Sequence, residues 1–112
     1  MPRKEPGEPY QRISLEEATS MIEAGSVVVD VRRPDEYATG HVANSILMPV
    51  DDVLGRLSEL PEDGNLLFIC AAGVRSGLAC EMAAAIGISE DRLYSIDAGT
   101  GPWIEAGLPT EY

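Results

Sequence analysis

The chain has 112 residues, enough for one domain with its own core, and its 45% hydrophobic and 24% charged content is that of a globular protein rather than a disordered one. A formal net charge of −11 sets its surface against nucleic acid and anionic membranes, and no apolar run reaches the ~18 residues of a membrane span. Two cysteines and one histidine are too few for a four-ligand structural zinc site, and the composition supports a core without a disulfide framework. Residues 1–9, with Pro2, Pro6 and Pro9 among mixed charges, predict a flexible tail; they lack the apolar stretch of a secretory signal, so a cytoplasmic location is the default expectation. The domain is expected over residues 10–112. Tyr10 to Ile13 predicts a short edge strand. Ser14-Leu15-Glu16-Glu17 then has the form of a capping box, opening a helix with Leu15, Ala18 and Ile22 on one face and a stop at Gly25.

Val27 to Val31 is β-branched except for Asp30 and lacks alternation, which predicts a strand buried on both faces. Ile46 to Met48 predicts another strand, ended by Pro49. Asp51 to Leu60 carries helical spacing through Val53, Leu54, Leu57 and Leu60. Asn65 to Cys70 is a second continuous apolar strand, and Ser76 to Ile86, with Glu81 as its one charge, predicts a largely buried helix closed by Gly87. Leu93 to Ile96 is a further strand. After Gly99 and Gly101, Pro102 suits the first position of a short helix that ends at Gly107. Strands alternating with helices predict a small α/β domain, a parallel sheet with helices on both faces.

The segment that points to chemistry is Phe68-Ile69-Cys70-Ala71-Ala72-Gly73-Val74-Arg75-Ser76. A buried strand ends in Cys70, at the carboxyl edge where open α/β sheets bind ligands. Ala71, Ala72 and Gly73 have little bulk, so their backbone can curl with N–H groups inward around an anion. The helix beginning at Ser76 adds unpaired N–H groups and a positive dipole end, and Arg75 adds a permanent charge. Each favours a thiolate over a thiol, which would make Cys70 a nucleophile without a histidine base. The plainer reading of Cys70 is a buried small hydrophobe. Cys80 lies mid-helix among Ala79, Met82 and Ala83, where a core role is expected over a redox partnership. Asp30 is a carboxylate inside an apolar strand and needs a partner, for which Arg32 and Arg75 are the candidates. Arg32 and Arg33 are otherwise expected as solvated cations or, near the pocket mouth, as charges that counter the acidic surface for an anionic substrate, and Trp103 is expected in the core.

The Cys70 loop resembles the active-site loop of the rhodanese (thiosulfate sulfurtransferase) family in its single-domain form. Other segments resemble the family in the same order: Val29-Asp30-Val31-Arg32 followed by Asp35-Glu36-Tyr37 and Gly40-His41-Val42, then Asn44 to Pro49, then Trp103 through Gly107-Leu108-Pro109. The likeness runs over roughly residues 11 to 110. It implies a rhodanese-like fold and a sulfurtransferase. It also implies Cys70 as the catalytic residue and Ala71, Ala72, Gly73, Val74, Arg75 and Ser76 as the substrate-binding loop, supported by Asp30 and Arg32. The implied partners are a small anionic sulfur donor such as thiosulfate, or a persulfide, and a thiol, cyanide or sulfur-carrier protein as acceptor, with no metal and no organic cofactor. His41 is expected to be structural rather than a general acid. The Cys-x4-Arg spacing is one residue shorter than the Cys-x5-Arg loop of cysteine phosphatases and suits a single sulfur atom better than a phosphoryl group. Asp97-Ala98-Gly99 departs from the two adjacent glycines often found before the last helix, which bears on donor preference, and Arg75 stands where members favouring 3-mercaptopyruvate have a neutral residue. The alternative to an enzyme is a non-catalytic docking or regulatory module of the same fold.

Overall fold

The computed structural model describes all residues, Met1–Tyr112. Five parallel strands form one sheet in the order β1 (Gln11–Ile13), β6 (Leu93–Ile96), β5 (Leu66–Ile69), β2 (Val27–Asp30), β4 (Ile46–Leu47). The α/β class and the covering of both faces are as expected from the sequence. Because side chains alternate across a strand, β2 and β5 each feed two cores. Val29, Leu66 and Phe68 pack with Val53, Leu57, Ala79, Cys80 and Ala83 on one face. Val28, Leu67 and Ile69 pack with Ala18, Ile96 and Trp103 on the other. Each fully buried aliphatic side chain here contributes about 1.5–3 kcal/mol.

The first face carries α3 (Val53–Arg56) and α4 (Val74–Ala85); the second carries α1 (Leu15–Glu23) and α5 (Thr100–Glu105). The capping box of α1 forms in both directions, with the Glu17 amide donating to Ser14 Oγ and the Ser14 amide donating to Glu17 Oε1. The helix expected over 51–60 is instead α3 flanked by tight 3₁₀ turns at Val50–Asp52 and Leu57–Glu59, which still bring Val53, Leu57 and Leu60 inward. Four short elements are not legible in the sequence: the single-turn helix α2 (Pro34–Tyr37), a 3₁₀ turn at Glu90–Arg92, and an antiparallel pair of two-residue strands, β3 (His41–Val42) with β7 (Thr110–Glu111). None is long enough to leave a periodic signal.

The segment expected to be a flexible tail lies along the outer edge of β1. Arg3 and Arg12 exchange backbone hydrogen bonds of 2.8 and 2.6 Å, and Arg3 pairs with Asp97 at 2.9 Å. No helix is long and apolar enough to cross a membrane.

Candidate active site

β5 ends at Ile69, and Cys70 follows on the same face as Phe68, beneath the start of α4. Two contacts fix this strand end. The Thr100 amide and hydroxyl both donate to the Cys70 carbonyl, at 3.0 and 3.2 Å. The backbone at Gly99, at φ 86° and ψ −177°, lies so close that an added Cβ would sit 2.1 Å from the Ala71 carbonyl oxygen. That conformation is open essentially only to glycine. Ala98, where the sequence departs from a second glycine, is exposed and outside this contact. The tie to Cys70 also starts α5 at Thr100, ahead of Pro102.

The loop is tighter than its sequence suggests. Gly73, at φ 90°, caps α4 directly, so the helix begins at Val74 and not at Ser76. A Cβ on Gly73 would meet the Asp97 carbonyl oxygen at 2.9 Å. Ser76 thereby becomes the third helical residue, with its hydroxyl turned back toward the loop.

The Gly73 amide donates to Cys70 Sγ at 3.0 Å, and Ser76 Oγ lies 3.5 Å from the sulfur. Ser76 Oγ also lies 3.2 Å from the Gly73 carbonyl and 2.7 Å from Ser95 Oγ. Burial pushes the Cys70 thiol up and is the largest single influence. The Ser76 hydroxyl and the backbone N–H groups of Ser76, Ala72 and Gly73 together more than offset it, so the pKa lies below its ordinary value. The Val74, Arg75 and Ser76 amides are the leading orphan donors of a 12-residue helix. Cys70 itself is 1% exposed, while Ala71, Ala72 and Val74 face outward. Cys80 is the opposite case: it is buried in the core, and desolvation drives its pKa well above the ordinary thiol value.

The structure separates the arginines. Arg75 does not direct its fork at the sulfur; its two terminal nitrogens bind the two Glu36 oxygens at 2.6 and 2.9 Å, tying α4 to α2. Asp30 takes Arg32 as its partner, through Nε to Oδ1 at 3.0 Å and Nη2 to Oδ2 at 2.8 Å. Arg32 then donates to the carbonyls of Glu36 and Gly40, at 3.2 and 2.8 Å. Asp30 and Arg32 are 0% and 5% exposed, so this buried pair holds α2, and through it Glu36, in place beside the Cys70 loop. Arg33 is exposed and pairs with Asp35.

His41 accepts no part in the site. Its ring stacks on Tyr37 with centroids 3.6 Å apart, and its Nδ1 lies 2.8 Å from the Tyr37 carbonyl. Trp103 is buried and donates to the Pro109 carbonyl. Glu36, Ser95 and Thr100 complete the site and were not singled out from the residues. Ser95, a hydroxyl within the apolar strand Leu93–Ile96, was the one that carried a legible signal.

The model of the rhodanese-like domain matches residues 14–106. Among curated proteins, the thiosulfate sulfurtransferase GlpE of Pseudomonas paraeruginosa is 33% identical over 94 residues, covering 84% of each chain. The HTH-type transcriptional regulator Rv0324 of Mycobacterium tuberculosis is 34% identical over 110 residues, covering 94% of this chain; the aligned stretch spans only 46% of the regulator's length. Among solved structures, a rhodanese-related protein from Thermoplasma volcanium superimposes with a TM-score of 0.81 at 32% identity, covering 91% of this chain and 98% of its own. With the match reaching from the α1 cap to the end of α5 and enclosing the Cys70 loop, the chain belongs to the rhodanese-like domain family.

Proposed function

We propose that the protein is a sulfurtransferase in which Cys70 takes sulfane sulfur from thiosulfate or a persulfide donor and passes it to a thiophilic acceptor. The observation that carries this reading is the donor set on one sulfur: the Gly73 amide at 3.0 Å and the Ser76 hydroxyl at 3.5 Å, with a lowered thiol pKa. The likeness to GlpE supports the same reading. The Cys70 thiolate attacks the outer sulfur of the donor. A sulfur–sulfur bond to Cys70 forms as the donor's own sulfur–sulfur bond breaks, and its electron pair leaves on sulfite or on the donor thiolate. The anionic outer sulfur of the Cys70 persulfide then lies among the free amides at the start of α4, which favour negative charge. Attack by an acceptor thiolate on that sulfur returns Cys70 as thiolate. The two half-reactions predict ping-pong kinetics.

Asp30 and Arg32 serve this scheme at one remove, by holding α2 against the loop. The test is intact mass after incubation with thiosulfate or a small-molecule persulfide. Wild type and Cys80→Ala should each gain one sulfur that reductant removes, and Cys70→Ala should gain none. Retention of the gain by Cys70→Ala would refute the assignment. The docking reading is supported by the likeness to a transcriptional regulator. It predicts no sulfur uptake from either donor and a partner interaction that survives Cys70→Ala.

A further inference from the structure

The loop offers an incoming anion no unpaired side-chain cation. Arg75 is the one basic residue between Cys70 and Ser76, and Glu36 engages it through both oxygens, at 2.6 and 2.9 Å, with both side chains partly buried. The other charges around the loop are closed in the same way. Asp97, whose backbone touches Gly73, is shared by Arg3 and Arg12, and Asp30 is closed by Arg32. The surrounding chain carries a net charge of −11. Arg33, the remaining arginine beside Glu36, is exposed and paired with Asp35 at 3.2 Å. Main-chain donors therefore stabilise one sulfur, and each arginine near the loop is already paired with a carboxylate rather than left for the dianionic body of a donor such as thiosulfate.

We infer that Glu36 sets donor selectivity: by neutralising Arg75 it biases Cys70 against small sulfur dianions and toward persulfides whose body is neutral or cationic. This rests on the sulfurtransferase reading above and narrows its donor. In the favoured step, the Cys70 thiolate attacks the outer sulfur of the persulfide and the donor leaves as its thiolate, with no net oxidation. Glu36 touches neither sulfur. It acts through Arg75, as a positioning and charge-balancing residue.

The experiment compares the rate of sulfur loading onto Cys70 from thiosulfate and from the persulfide of cysteamine, in wild type, Glu36→Gln and Asp63→Asn. Gln keeps an oxygen for the Arg33 amide that caps α2 but leaves the Arg75 charge uncancelled. Asp63→Asn removes the same unit of charge from an exposed site before β5, at the opposite end of the strand from Cys70. The expected result is that Glu36→Gln shifts the ratio of the two rates about tenfold toward thiosulfate, chiefly through a lower KM for it, whereas Asp63→Asn leaves the ratio in place. An unchanged ratio in Glu36→Gln, or an equal shift in Asp63→Asn, overturns this proposal alone. Failure to load Cys70 from either donor overturns the sulfurtransferase reading, and this proposal with it.

Discussion

The hydroxyls of Ser76 and Ser95 meet at 2.7 Å beneath the Cys70 sulfur, one from the first turn of α4 and one from the β6 register position opposite Phe68. A hydroxyl has one proton to give. When Ser95 donates to Ser76, the Ser76 proton is free to turn to the thiolate; when Cys70 is protonated, that same proton can return to the Gly73 carbonyl at 3.2 Å. The geometry thus allows the pair to follow the charge on the sulfur. Ser76→Ala should raise the Cys70 pKa and slow alkylation by iodoacetamide at neutral pH about fivefold, the equivalent of one hydrogen bond of ~1 kcal/mol. Ser95→Ala should act in the same direction and more weakly. The check is alkylation rate against pH, and an unmoved profile in Ser76→Ala would remove the hydroxyl from the nucleophile's support.

The buried Asp30–Arg32 pair makes a sharper claim on stability. Removing the carboxylate leaves a guanidinium that is 5% exposed without its counter-charge. Asp30→Ala should therefore destabilise the fold by about 3–5 kcal/mol, read from the shift of the urea midpoint at constant slope. A shift under about 1 kcal/mol would mean that the Glu36 and Gly40 carbonyls alone satisfy Arg32.

Gly99→Ala tests the contact between α5 and the loop. Its Cβ would lie 2.1 Å from the Ala71 oxygen, and the backbone there is in a region alanine avoids. A cost of at least ~2 kcal/mol is expected, together with loss of sulfur loading as the loop is displaced. Ala98→Gly, one residue away and exposed, should leave loading intact.

Glu36 gives a pH signature of its own. The Arg75 fork holds its pKa at about 2, against an ordinary 4.5. A carboxylate depressed on folding stabilises the fold above its unfolded pKa and loses that contribution as pH falls through the folded one. Wild type should therefore be more stable than Glu36→Gln at neutral pH. The gap should narrow between about pH 4.5 and about pH 2, the window those two values set. Urea midpoints at several pH values measure it; a gap that stays constant across that window would show that the ion pair contributes nothing measurable.

What the sequence revealed and what it hid divide along physical lines. The α1 cap, the buried strands at Val27 and Leu66 and the Cys70 loop each leave a local mark, because propensity, capping and apolar runs act over a few neighbouring residues. The loop's actual wiring does not. Arg75 is 39 positions from Glu36, Ser76 is 19 from Ser95 and Thr100 is 30 from Cys70, so each pairing exists only once the sheet has set its strand order. Nearest in sequence, Arg75 and Cys70 promised a charge for the thiolate; the tertiary fold gave that charge to another element. The start of α4 moved for a similar reason. Gly73 can be seen as a turn residue, but that it closes the loop and caps the helix at once follows from its packing on Asp97.

Of the groups that hold the Cys70 sulfur, all but the Ser76 hydroxyl belong to the main chain. The side chains of Ala71, Ala72 and Val74 point to solvent, Val74 at 80% exposure, and make no polar contact that the loop depends on. The groups that hold the sulfur and the side chains that face solvent thereby occupy different parts of the same short stretch of polypeptide. No side chain at these three positions supplies a donor to the sulfur, so exchanging one changes what the loop presents to solvent without deleting a group that holds Cys70.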